Sequence, residues 1–60
     1  MGRKKVLEKR LMRLKKRKDE LAARAKASTD ANEVRSLTEQ VEDVKAEMEE
    51  TQEELDAIAE

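Results

Sequence analysis

The chain has 60 residues, of which 48% are charged, 37% are hydrophobic and none is aromatic, and its formal net charge is −1. This composition excludes a packed globular core, and with no proline and a single glycine at position 2 nothing interrupts a long helix. The absence of cysteine and histidine excludes disulfides, thiolate chemistry and the commonest general base.

Charge is divided between the two halves of the sequence. Residues 1–29 contain twelve lysines or arginines and three acids, a net charge of +9. Residues 30–60 contain two basic residues and twelve acids, a net charge of −10. Because the halves are nearly equal and opposite, we expect them to interact electrostatically. No apolar run is long enough for a membrane span or a signal-peptide core, so we expect a soluble protein.

The first helix is predicted over residues 3–27. Apolar residues recur along it at alternating spacings of four and three, which is the seam of a coiled coil. Lys18 is the polar exception, and its aliphatic stem can lie on apolar surface while the ammonium reaches water. Val6 and Met12 lie outside the seam, either as surface residues or as contacts of a third helix. The seam places Leu7, Leu14 and Leu21 at heptad position d, and Leu11, Lys18 and Ala25 at position a.

A turn is predicted at residues 28–30. Asp30 is a favourable N-cap, and Glu33 follows three residues later in the capping-box position. Ser28 and Thr29 favour local side-chain hydrogen bonds over continuation of the helix. The second helix is therefore predicted to begin at residue 31.

The second helix is predicted over residues 31–59, and its seam is the clearest pattern in the sequence. Core candidates follow alternating spacings of three and four, and only Thr51 interrupts the apolar series. A narrow, one-sided seam predicts that this helix packs against another helix. The seam places Val34, Val41, Met48 and Leu55 at a, and Leu37, Val44, Thr51 and Ile58 at d.

A hairpin suits this pattern better than one continuous helix. The seam advances nine residues from Ala25 to Val34, about two and a half turns, so a straight helix would move its apolar stripe to the opposite side. A hairpin needs no such change, and it places the basic run at 3–18 beside the acidic run at 40–56. The hydrophobic register of the hairpin pairs Leu21 with Leu37, Leu14 with Val44, and Leu11 with Met48.

The predicted fold is therefore all-α, an antiparallel helical hairpin or coiled coil in which residues 1–60 form one helical module. Because a seam this thin barely offsets the entropy of ordering the chain, we expect the hairpin to self-associate. Exchange of helices between two copies, or a long antiparallel dimer, would satisfy the same registers.

The charged runs have alternative interpretations. The basic run could bind phosphates of nucleic acid or of a membrane surface, but its charge is matched within the chain and no aromatic residue is present for base stacking. The acidic face lacks histidine and the glycine of a calcium-binding loop, so we expect a solvated face and no metal. With no base beside any serine or threonine, we expect no enzyme activity, cofactor or small-molecule ligand.

Five short segments carry a resemblance to a known family: Glu8-Lys9-Arg10-Leu11, Ser28-Thr29-Asp30-Ala31, Glu33-Val34-Arg35-Ser36-Leu37, Val41-Glu42 and Glu54-Leu55-Asp56-Ala57-Ile58. In these segments the chain resembles the start of tailed-bacteriophage major capsid proteins. The resemblance implies that the chain is the scaffolding (delta) domain at the N-terminal end of a longer coat protein. It implies coiled-coil association of coat subunits into capsomers and a procapsid in the host cytoplasm, followed by removal by a phage protease. A basic nucleic-acid-binding module and a generic coiled-coil dimeriser are the alternatives.

Overall fold

The structure, a computed structural model, describes residues 2–58. These residues form two α-helices, α1 (Arg3–Ala27) and α2 (Ala31–Ala57), which pack against each other in an antiparallel hairpin. The hairpin measures 46 × 16 × 10 Å, which is the length of one helix and the width of two. The predicted all-α helical hairpin is confirmed.

Helix α1 begins and ends at backbone groups rather than at capping side chains. Gly2 is its N-cap in an extended conformation with no side-chain bond, and the Lys5 N–H donates to the Gly2 carbonyl at 3.2 Å. At the other end the Ser28 N–H donates to the Arg24 carbonyl at 3.0 Å. The first turn contains basic residues and no acid. The positive end of the helix dipole repels these basic side chains, which is unfavourable for the helix. A stabilising influence on this end must come from elsewhere.

Three residues connect the helices, and Asp30 caps the second one as predicted. Its Oδ1 accepts a hydrogen bond from the Asn32 N–H at 2.9 Å. The reciprocal bond of a capping box is not made by Glu33, because the Asp30 N–H donates to the Ser28 Oγ at 3.2 Å. A serine hydroxyl two residues away reaches this donor with fewer rotamers to fix than a glutamate side chain. No residue between 2 and 58 has a positive φ, so this turn needs no glycine.

Helix α2 ends at Ala57, two residues earlier than predicted. Ile58 is extended (φ −79°, ψ 107°), and its N–H donates to the Leu55 carbonyl at 3.1 Å, which closes a tight last turn. The last turn carries no basic residue, and the acids near it oppose the helix dipole. These conditions favour early termination. Residue 59, the predicted end, lies outside the described residues.

The core is a single row of side chains between the helices. Its main cluster contains Leu21, Leu37 and Val44, with Leu14, Ala25, Val41 and Met48 partly buried against it. Leu7 and Thr51 are also buried, nearer the open end of the hairpin. Burial on the described residues thus follows the predicted seam along its whole length.

Thr51 is the most buried side chain in the described chain, with 1% of its surface exposed. From sequence it was an interruption of the apolar series. Its hydroxyl donates to the Glu47 carbonyl of the same helix at 2.8 Å, so the polar atom is satisfied without a partner from α1. The methyl group then remains free to pack in the core.

Candidate functional site

The structure places the predicted seam residues at two levels of burial. The d-position residues Leu7, Leu21, Leu37 and Val44 are buried, and Leu14 and Ile58 are half-buried. The a-position residues are all half-buried: Leu11, Lys18, Ala25, Val34, Val41, Met48 and Leu55. The two helices are therefore rotated so that their d positions face each other.

This rotation has a cause in the sequence of α1. The three d positions of the α1 seam are all leucine, whereas its three a positions include a lysine and an alanine. Turning the leucines toward α2 removes the larger apolar area from water, and apolar area sets the gain from burial. The cost is that the a-position residues of both helices remain partly in contact with water.

An antiparallel pair has two chemically different flanks. Position g of each helix lies beside d on one flank, and position e of each helix lies beside a on the other. We call the first the g flank and the second the e flank. Because most d-position residues are buried and the a-position residues are only partly buried, the g flank borders the more closed side of the seam and the e flank borders its more open side.

The g flank carries a ladder of opposite charge. Every g position of α1 is arginine, and the facing g positions of α2 are three glutamates and one glutamine. Each step of seven residues up α1 meets a step of seven residues down α2. The facing residues are Arg3 and Glu54, Arg10 and Glu47, Arg17 and Gln40, and Arg24 and Glu33. This ladder was not among the predicted features, although the g positions of the hairpin register can be read from the sequence.

One rung of the ladder is in direct contact. Arg3 Nη2 donates to Glu54 Oε1 at 3.4 Å, which joins the basic start of α1 to the acidic end of α2. The side chains of Arg3 and Glu54 are 73% and 44% exposed. Exposed ion pairs of this kind contribute about 0–1 kcal/mol to the free energy of unfolding. The position of this ion pair matters more than its strength. Arg3 lies beside the negative end of the α2 dipole, and Glu54 lies beside the positive end of the α1 dipole, so each charge is favourable for the other helix.

The middle rungs act over longer distances. Arg10 and Arg17 line one shallow groove with Gln40 and Glu47, yet within residues 2–58 no ion pair closer than 4 Å joins them. The other short ion pair between described residues, Lys45 Nζ to Glu42 Oε1 at 3.9 Å, lies within α2. The opposite charges of the two helices therefore attract each other mainly through longer-range electrostatics, with the charged runs aligned along the hairpin, rather than through direct ion pairs.

The e flank has no comparable ladder. Its α1 positions are Glu8, Lys15 and Ala22, its α2 positions are Thr38, Lys45 and Gln52, and the two lysines face each other. Two shallow grooves follow this flank, one with Leu11, Lys18 and Met48 in its lining, the other with Leu11, Met12 and Leu55. The partly buried apolar side chains on this flank thus lie among charged side chains of both signs, including Lys15, Lys45 and Glu49.

The remaining candidates lie on the surface. Val6 and Met12 are 65% and 72% exposed. Among the residues described, no three acids are grouped closely enough to hold a metal ion, and neither helix is long and apolar enough to cross a bilayer. The Thr38 hydroxyl donates to the Val34 carbonyl at 2.7 Å. The distinctive surface is therefore the seam with its two unlike flanks.

Comparison with known proteins gives no relationship to set beside this geometry. No protein-family model matches the sequence, and no curated protein or solved structure matches it.

Proposed function

We propose that the chain is a helical association module that brings together copies of the protein that carries it. The observation that supports this most is that every a-position residue, from Val34 to Leu55 on α2 and from Leu11 to Ala25 on α1, is only partly buried. Apart from Lys18 these side chains are apolar, and a row of partly exposed apolar side chains is typical of a protein–protein contact.

The mechanism is reversible association in two parts. The d-position residues hold the hairpin together, and the a-position residues supply apolar area for contact between hairpins. Opposite charge on α1 and α2 sets the orientation and register of the contact rather than its strength. Because each module exposes a modest strip, individual contacts are weak and errors of assembly can be reversed.

We further propose that the assembly is a viral coat. The resemblance to the scaffolding domain of tailed-bacteriophage major capsid proteins supports this role, with the module guiding coat subunits into a procapsid. Proteolytic removal after assembly would make the process irreversible. The coding sequence beyond residue 60 tests this directly: a shell-forming domain is expected there, and a domain of another class would contradict the viral role.

Sedimentation equilibrium tests the association itself. The chain is expected to have a mass that rises with concentration to a multiple of 6.9 kDa. Helicity measured by circular dichroism should rise over the same concentration range, because association and folding are linked. A fully helical monomer at every concentration would contradict the proposal.

A nucleic-acid-binding role is the second candidate, and one observation favours it. The side chains of Lys9, Lys15 and Lys16 are exposed and have no carboxylate within 4 Å in the described chain. They are available to phosphates. Duplex and single-stranded DNA should be titrated at two salt concentrations, because phosphate contacts give a steep salt dependence. Tight binding with such a slope would favour this role over association alone.

A further inference from the structure

We infer that the outer face of α1 in one copy packs against the outer face of α2 in the next copy, so that copies join side by side in an open row held by opposite charge. The inference rests on the proposed association function and adds a second, electrostatic contact to that of the a-position residues. The outer face of each helix consists of heptad positions b, c and f, which lie away from the other helix of the hairpin.

The outer face of α1 is basic over the N-terminal half of the helix. Its six positions between residues 5 and 16 contain no acid, and all six side chains are exposed. The two that are not basic, Val6 and Met12, are 65% and 72% exposed. No carboxylate of the described chain lies within 4 Å of the four basic side chains. These are Lys5, Lys9, Arg13 and Lys16.

The outer face of α2 is acidic. Of its eight positions between residues 39 and 56, seven are acidic and the eighth is Ala46, and all eight side chains are exposed. Within the described chain the one ion pair of these acids is a local contact of Glu42 with Lys45 at 3.9 Å. The seven acids are Glu39, Glu42, Asp43, Glu49, Glu50, Glu53 and Asp56.

The two outer faces are in register along the hairpin. Facing residues such as Leu21 and Leu37 have numbers that sum to 58. A second copy moved sideways by about 20 Å, two helix spacings, places its α2 antiparallel to α1 with no rotation and no shift along the axis. Met12 then lies level with Ala46, so a large exposed side chain meets the one small residue of the acidic face. The charged residues at equal levels are Lys5 and Glu53, Lys9 and Glu49, and Lys16 and Glu42.

A second copy is the occupant because it matches both outer faces at once. Helix α1 carries a net charge of +9, from twelve basic residues and three acids, and α2 carries −8, from two and ten. A nucleic acid or an anionic membrane would cover the basic face only, and the acids of α2 would repel it. In the row, every inner helix has a neighbour of opposite charge on both sides.

This contact is heterologous, because it joins two different faces of the same chain. Each added copy leaves one basic and one acidic outer face free at the ends of the row, so the row has no fixed number of copies. Exposed ion pairs contribute little individually, and the contact is therefore weak and sensitive to salt. The association constant should fall about tenfold or more between about 0.01 and about 1 M salt, because the Debye length shortens from about 30 to about 3 Å.

Exchange of charge between the outer faces tests the contact at constant salt. Lys5→Glu with Lys9→Glu makes both outer faces acidic, and Glu49→Lys with Glu53→Lys makes both basic. Each double variant alone should associate at least about tenfold more weakly than the unaltered chain, because like charges then face each other. An equimolar mixture of the two should recover the association, since each variant supplies the face that the other needs. Sedimentation equilibrium measures all three samples.

Two controls accompany this exchange. Lys5→Glu and Glu53→Lys place charges of favourable sign near the helix ends, so the variants should fold, and circular dichroism checks that each is helical. Lys15→Glu makes the same change in net charge as Lys9→Glu but lies on the e flank. Of these two single variants, only Lys9→Glu should weaken association.

The outcomes separate the inference from the proposed function. A monomer at every concentration and salt would reject both. Association that both double variants retain would reject the outer faces and keep the association function, and loss in each variant without recovery on mixing would also overturn the inference. Unchanged association of Lys5→Glu with Lys9→Glu, together with loss of binding to duplex DNA, would assign the basic face to nucleic acid instead. Recovery in the mixture supports the row.

Discussion

Thr51 shows how a polar residue can occupy the centre of a coiled-coil seam. Its hydroxyl donates to the Glu47 carbonyl, which already accepts the Thr51 N–H in a regular helix. The carbonyl thus keeps a partner if the hydroxyl is removed. The hydroxyl bond therefore adds less to the free energy of unfolding than the methyl group, which is buried from water.

Two substitutions at position 51 separate these contributions. Thr51→Val should raise the free energy of unfolding by about 0.5–1 kcal/mol, because an apolar group replaces a buried hydroxyl. Thr51→Ser should lower it by about 1 kcal/mol, because the buried methyl is lost. Urea denaturation monitored by circular dichroism measures both. A loss of stability with valine would show that the hydroxyl bond is worth more than its local geometry indicates.

Asp30 is the second residue with a defined local role, and its side chain is the cap of α2. Asp30→Ala should lower the free energy of unfolding by about 1 kcal/mol, the usual cost of losing an N-cap. Asp30→Asn keeps an acceptor oxygen and is the matched control, so it should unfold close to the unaltered protein. Equal loss in both variants would indicate that the carboxylate charge, and not the cap bond, stabilises this end.

At the scale of the helices, each element has charges that are unfavourable for it alone. The basic first turn of α1 and the acidic last turns of α2 both oppose the helix dipoles. The antiparallel arrangement brings these ends together, and the 3.4 Å contact of Arg3 with Glu54 marks the place. The charges of each helix are unfavourable for that helix in isolation, and packing of the two helices against each other offsets them.

A double substitution on the g flank tests whether charge register contributes. Arg10→Glu should lower the free energy of unfolding by about 0.5–1 kcal/mol, because it places an acid in the groove beside Glu47. Adding Glu47→Arg should restore most of this loss, because the pair is then opposite in sign again. Denaturation of the four members of the cycle gives the coupling free energy. A coupling near zero would show that this rung does not contribute.

Some features of the two helices could be predicted from the sequence, and others could not. The spacing of apolar residues identified the seam, because burial along a helix follows its period, and Asp30 identified the start of α2. The difference between a and d positions was missed, because the rotation of a helix depends on the sizes of all facing side chains together. The end of α2 at Ala57 was also missed, since no glycine or other capping residue marks it and weak terminal charges decide it.

At the scale of the molecule, stability depends on one thin row of side chains. Leu37 is the most buried apolar residue, at 4% exposure, and belongs to the main cluster. Leu37→Asp should abolish most helicity and association, because burying an unpaired carboxylate costs several kcal/mol, which exceeds the margin of so small a fold. Val6→Asp, at an exposed site, should change the circular dichroism little. Retained helicity in Leu37→Asp would contradict the seam as the core.

One distance distinguishes a hairpin within one chain from a continuous helix and from helix exchange between copies. Spin labels at positions 5 and 53, in a sample diluted with unlabelled chain, report the separation of the two helices in one molecule. In the hairpin the two helix backbones are expected about 10 Å apart at these positions. A separation of about 70 Å, as in one continuous helix, or loss of the short distance on dilution, as in helix exchange between copies, would contradict it.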